Sequence, residues 1–196
     1  MLPGTRLHDT APNFGLQHLL AIPYTVLASP TFSAADMGLA ARTARACDLF
    51  YNQGKAVPWF ALIQEALDLA PSELFQRFAG FLETQAEADV TALQVAFLAA
   101  CFPDAKTGAV AADLVTYFGR SGALLEDAAL DPEGTHVCEA SFHHDPKALL
   151  DHLESGLTDL VALAEVLPEH PCRAALIVEE GEVHMQILDA EENLFE

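Results

Sequence analysis

Up to about residue 130 the apolar residues recur at spacings of three and four, and beyond the turn "DPEG" spacings of two appear. No other feature constrains the fold as tightly. A period near 3.6 is that of a helix with one buried stripe, and a period of 2 that of a half-buried strand. The chain is therefore expected to be α+β and predominantly α. A multi-helix domain over residues 1–130 is followed, over 131–196, by a small β-α-β-β unit that ends in a β-hairpin. The alternative is one continuous domain, since 196 residues suit a single core.

The helical half is well punctuated. Ser33 suits an N-cap with Asp36 three residues on, and Phe32 and Met37 are spaced as a hydrophobic staple. Met37, Ala40, Ala44, Cys47 and Tyr51 then mark a stripe that Gly54 ends. Pro58 suits the first turn of a helix with Trp59, Leu62, Ile63, Ala66, Leu67 and Ala70 on one face. Pro71 and Ser72 open another, with Leu74, Phe75, Phe78, Phe81 and Leu82 inward. Thr84 and Glu87 have capping-box spacing before the stripe Val90, Leu93, Phe97 and Cys101, which Pro103 closes. Thr107 to Phe118 predicts a helix ended by Gly119, and Ser121 to Leu130 a separate short one. The aromatic cluster Trp59, Phe60, Phe75, Phe78 and Phe81 reads as core, with Phe60 off the main stripe.

After "DPEG" the β-prone run Thr135 to Phe142 predicts a strand. Asp145 caps a helix, Pro146 takes its first position, and a regular leucine stripe runs from Leu149 to Leu167 before Pro168. Ala174 to Val178 and Val183 to Leu188 predict the two arms of the hairpin, with "EEGE" as its turn and Gly181 free to take positive φ. Three strands leave an edge, and an edge invites pairing with a partner or a second copy.

Composition narrows the function classes. With 52% apolar residues the chain can fill a core, yet no apolar run is long enough to span a bilayer, and "GLQHLLAIPYTVLAS" is interrupted and lacks the basic flank of a signal peptide. Four widely spaced cysteines read as buried thiols in a reducing compartment, so a cytoplasmic location is expected. The net charge is −20, most of it in the second half: residues 1–100 hold 9 acids and 5 bases, residues 101–196 hold 20 acids and 4 bases. Such a surface repels phosphate backbones, which argues against direct nucleic-acid binding.

Candidate catalytic groups crowd only in "EASFHHDP", residues 139–146. His143 and His144 are adjacent, point to opposite sides of an extended segment, and have no ligand-spaced partner, so no metal site is expected there. They read as exposed residues at a corner between strand and helix. "HLE" at 152–154 and "PCRAA" at 171–175 approach a zinc deaminase pattern, but Ala175 stands where its second cysteine belongs. "GRSGA" at 119–123 fails as a nucleophile elbow at Ala123 and follows a helix rather than a strand.

With no catalytic signature, cofactor or metal expected, the leading expectation is a non-catalytic interaction protein: a regulator, an inhibitor, an immunity-type protein or a specialised chaperone. Its partner would be a protein with a basic surface, or a second copy in a homodimer. Glu179, Glu180 and Glu182 at the hairpin turn and Glu191 and Glu192 in the acidic tail are the candidate contact residues. The alternative is a helical enzyme acting on a small molecule, with His143, His144 or His152 as acid or base. A further alternative is a nucleic-acid mimic. A ligand-sized pocket touching the histidines would favour the enzyme; a flat acidic face would favour the binder.

Overall fold

A computed structural model describes residues 3–86 and 88–188. Eight α-helices and two small antiparallel sheets make up the described residues, an α+β fold that is mostly α. A short helix α1 (Arg6–Thr10), a 3-10 turn and a two-stranded ladder, β1 (Gln17–His18) with β2 (Val26–Ala28), lead into the helical body. That body comprises α2 (Ala34–Cys47), α3 (Phe60–Leu67), α4 (Pro71–Leu82), α5 (Val90–Cys101) and α6 (Ala105–Leu130). Then follow β3 (Val137–Phe142), α7 (Pro146–Glu154), α8 (Leu160–Val166), β4 (Cys172–Glu179) and β5 (Glu182–Leu188).

Caps define many of these boundaries. The Ser33–Asp36 capping box forms reciprocally at the start of α2. That helix runs on as a π-helical turn over Asp48–Gln53 to Gly54. The buried Gln94 side chain on α5 donates to the carbonyls of Phe50 (2.8 Å) and Gly54 (3.0 Å), so oxygens at this irregular end are not left bare. The cap of α5 is Asp89, whose carboxylate accepts from Ala92 N; the expected Thr84–Glu87 box involves Glu87, which lies outside the described residues.

The buried stripe of α2 is rotated from the expected one. Ala46 and Phe50 are fully buried, whereas Ala40 and Ala44 are exposed on a groove shared with Phe75 of α4. Phe50 is the hub of the core: its ring meets Trp59, Phe75, Phe78 and Phe97 edge to face. Phe75 is half-buried; full burial of each of the other rings contributes roughly 2–3 kcal/mol. Phe60, off the main stripe, packs against Phe50, Tyr51 and Phe75. The same cluster of buried side chains continues through Val110, Leu114 and Val115 of α6 to Leu149 of α7 and Leu160 and Leu163 of α8.

Two expected helix boundaries differ by more than a turn, and α3 is shorter than expected, with Pro58 just before it and Ala70 capping α4. Gly119 does not end a helix; α6 runs unbroken through it for 26 residues. A side chain there would bring its Cβ to 2.7 Å from Thr91 Oγ1, so the glycine lets α5 and α6 approach closely. Conversely, the leucine stripe from 149 to 167 is two helices, broken at Gly156 (φ 90°). The break lets Leu160 and Leu163 turn into the core at an angle that one straight helix would not give them.

The C-terminal sheet has the order β3-β4-β5, antiparallel throughout. Its register places Cys138 beside Leu176 and Met185, and Ala140 beside Ala174 and Ile187. One face is therefore wholly apolar, and α6 packs against all three strands. The other carries Glu139, Arg173, His184 and Gln186, with an ion pair between Arg173 and Glu139. Glu180 (φ 53°) and Gly181 (φ 83°) form the two-residue turn, both with positive φ, as the tightest hairpins require.

Candidate functional site

The corner "FHHDP" between β3 and α7 is held by a residue far away in sequence. Asp113 lies in the third turn of α6 and is 1% exposed. It is the one charged residue between Lys106 and Arg120. Its Oδ1 accepts from His143 N (2.9 Å) and His143 Nδ1 (3.0 Å). Its Oδ2 accepts from His144 N (2.9 Å) and His144 Nδ1 (2.8 Å). Four N–H groups on one carboxylate use its whole accepting capacity and compensate the cost of burying the charge. Where Asp113 is ionised it only accepts; each imidazole then donates to it from Nδ1, and Nε2 is the second ring nitrogen.

Local sequence explains why the corner is presented to Asp113. Phe142, 3% exposed, anchors the end of β3. Asp145 caps α7 by accepting from Lys147 N (2.9 Å), with Pro146 in the first turn. The backbone between these anchors is further fixed by His170 N, which donates to the His143 carbonyl at 2.9 Å. The Cys172 thiol lies 3.7 Å from the His144 carbonyl.

The two histidines are not equivalent exposed corner residues. The His143 side chain is 59% exposed, but that of His144 is only 2% exposed, because it turns inward beneath α8. His143 lines an open cavity of about 500 Å³ walled by Val95, Phe102, Ala109, Lys106 and Glu169. His144 lines a second cavity of about 390 Å³ with Leu167, and Lys106 and Glu169 border both. Asp104, at the mouth of the first, accepts from the Thr107 hydroxyl and N–H, which hold its carboxyl below the ordinary range. Burial, with Asp145 and Asp113 nearby, pushes the Cys172 thiol up, and burial does the same to Cys138. Neither thiol is thereby activated as a nucleophile.

His152 stands apart, in the last turn of α7, where its carbonyl accepts from Ser155 Oγ and Leu157 N. Glu179, Glu180 and Glu182 are all exposed at the hairpin tip. Along β4 that tip is roughly 23 Å from the Asp113 corner, at about 3.3 Å per residue. Glu191 and Glu192 lie outside the described residues. Among the described residues no group of three or more histidine, cysteine or acidic side chains is placed to hold a metal. None of their helices is long and apolar enough to cross a membrane.

Sequence reasoning missed Asp113. Its signal was an isolated acid within the apolar run "TGAVAADLVTYFG", a place where a charge is buried only when a partner waits for it. Comparison with known proteins adds no assignment: no family model matches the chain, and neither a curated protein nor a solved structure matches it significantly.

Proposed function

We propose that the protein binds a small molecule in the cavity beside His143 and exchanges a proton with it, His143 serving as acid or base and Asp113 as its anchor. One observation carries this reading. The His143 ring is fixed through Nδ1 by a buried carboxylate, while the ring itself is half exposed on a ligand-sized cavity. Acid–base catalysis uses that combination: an imidazole held in one orientation, with its second nitrogen free. Lys106 and Glu169 supply charges of both signs at the rim, and Val95, Phe102 and Ala109 an apolar wall. The reaction class this supports is proton transfer to or from a bound small molecule.

The test is a screen of small carboxylates, amines and phosphate esters, read by the His143 ring signals in NMR. At least one compound is expected to shift those signals. Its affinity should fall by about tenfold or more, some 1.4 kcal/mol, in His143→Ala and in Ala109→Trp, which fills the cavity. Hits whose affinity neither substitution changes would overturn the reading.

A second reading is favoured by a different observation. Glu179, Glu180 and Glu182 project from a free hairpin tip, and none joins an ion pair among the described residues. In that reading the chain is a cytoplasmic, non-catalytic regulator, inhibitor, immunity-type protein or chaperone. It would meet a basic protein through these carboxylates, or a second copy through an edge strand of the C-terminal sheet.

A further inference from the structure

We propose that Asp113, His143 and His144 behave as one protonic unit, in which the buried His144 sets how readily His143 gains or loses its proton and so links the two cavities. The inference deepens the small-molecule reading and rests on it only for its functional consequence. Each oxygen of Asp113 serves one imidazole, and the ring centroids lie 6.5 Å apart. With both rings neutral the unit carries one negative charge. One added proton makes it neutral overall, and a second makes it positive. Burial disfavours the two charged states relative to the neutral one. The second proton also meets a carboxylate already compensated and an imidazolium close by. Uptake at either ring therefore lowers the affinity of the other, and the two steps belong to the unit rather than to single residues.

The surrounding charges do not remove this coupling. Lys106 on α6 and Glu169 before β4, of opposite charge, border both cavities. Asp104 lies on the His143 side and Glu165 of α8 on the His144 side. Asp145 caps α7 at the corner, and the Cys172 thiol stays neutral. None of these bridges the rings as Asp113 does. His144 is thus a positioning residue that acts through Asp113. A compound that bonds to His144 in the second cavity changes the proton affinity of His143 in the first.

The experiment is a pH titration of the histidine ring signals by NMR on the full chain, with no ligand added. In the wild type, His143 and His144 should each report two steps with midpoints at least about one pH unit apart. His144→Phe removes both a competing cation and a donor to Asp113. His143 should then titrate in one step, with a midpoint about half a pH unit or more above the lower of its two wild-type steps. If His144→Phe fails to fold, His143→Gln, at the half-exposed position, gives the reciprocal readout on His144. Single, independent steps in the wild type, or superimposable curves in wild type and variant, would overturn the proposal. Because no ligand takes part, the small-molecule reading can fail in its own screen while this coupling stands, and the reverse.

Discussion

At the scale of single residues, Asp113 is the buried charge on which the His143–His144 corner rests. A carboxylate at 1% exposure survives because four N–H donors converge on it, two of them backbone groups of the His143–His144 corner. Removing it leaves the buried donors of His144 without an acceptor. Asp113→Ala is expected to destabilise the fold by about 3–5 kcal/mol, the range for breaking a buried charged network. His144→Ala should cost about 2 kcal/mol, and His143→Ala less than about 1 kcal/mol, because its ring is hydrated on one side. Urea unfolding of the three variants checks this order. Equal and small losses in all three would show that the cluster does not hold the corner.

At the scale of elements, the contact between α5 and α6 depends on a residue that helix propensity would discard. In an exposed helix, Gly→Ala stabilises by roughly 1 kcal/mol. At Gly119 the added Cβ would lie 2.7 Å from Thr91 Oγ1 and 3.3 Å from its Cγ2, so the Thr91 side chain or one of the helices must shift. Gly119→Ala is therefore expected to destabilise by about 1–3 kcal/mol, as overpacking does. The double variant with Thr91→Ala should recover much of that loss, since both close atoms are gone. A thermal-unfolding cycle measures this coupling, and additive effects would place the helices further apart than the structure does.

At the scale of the whole molecule, the charge is very uneven, and the hairpin tip is where it can be tested without disturbing the core. Glu179, Glu180 and Glu182 are close together in water and repel one another. Replacing all three by Gln should leave thermal stability unchanged or raise it slightly. If a basic protein partner uses the tip, the same change should slow association most at low salt, with dissociation little altered. Unaltered binding together with a marked loss of stability would assign the cluster to folding and remove the second reading.

The sequence by itself determined the elements with strong local signals. The Ser33–Asp36 box, the Asp145–Pro146 start of α7 and the Glu180–Gly181 turn all follow from short-range hydrogen bonding and backbone geometry, which a few adjacent residues specify. The switch from helical to strand periodicity at "DPEG" likewise gave the fold class. Only the tertiary structure decided which face of α2 is buried, because Ala40 and Ala44 are as apolar as Ala46 and the aromatic hub at Phe50 settles the rotation. Tertiary packing also decided that Gly119 is a contact and Gly156 a break, since glycine permits both and its neighbours choose. The histidine corner was visible as a cluster but not as a site. Its partner, Asp113, lies thirty residues earlier on another element, and only the packing of the sheet on α6 brings the carboxylate and the two imidazoles together.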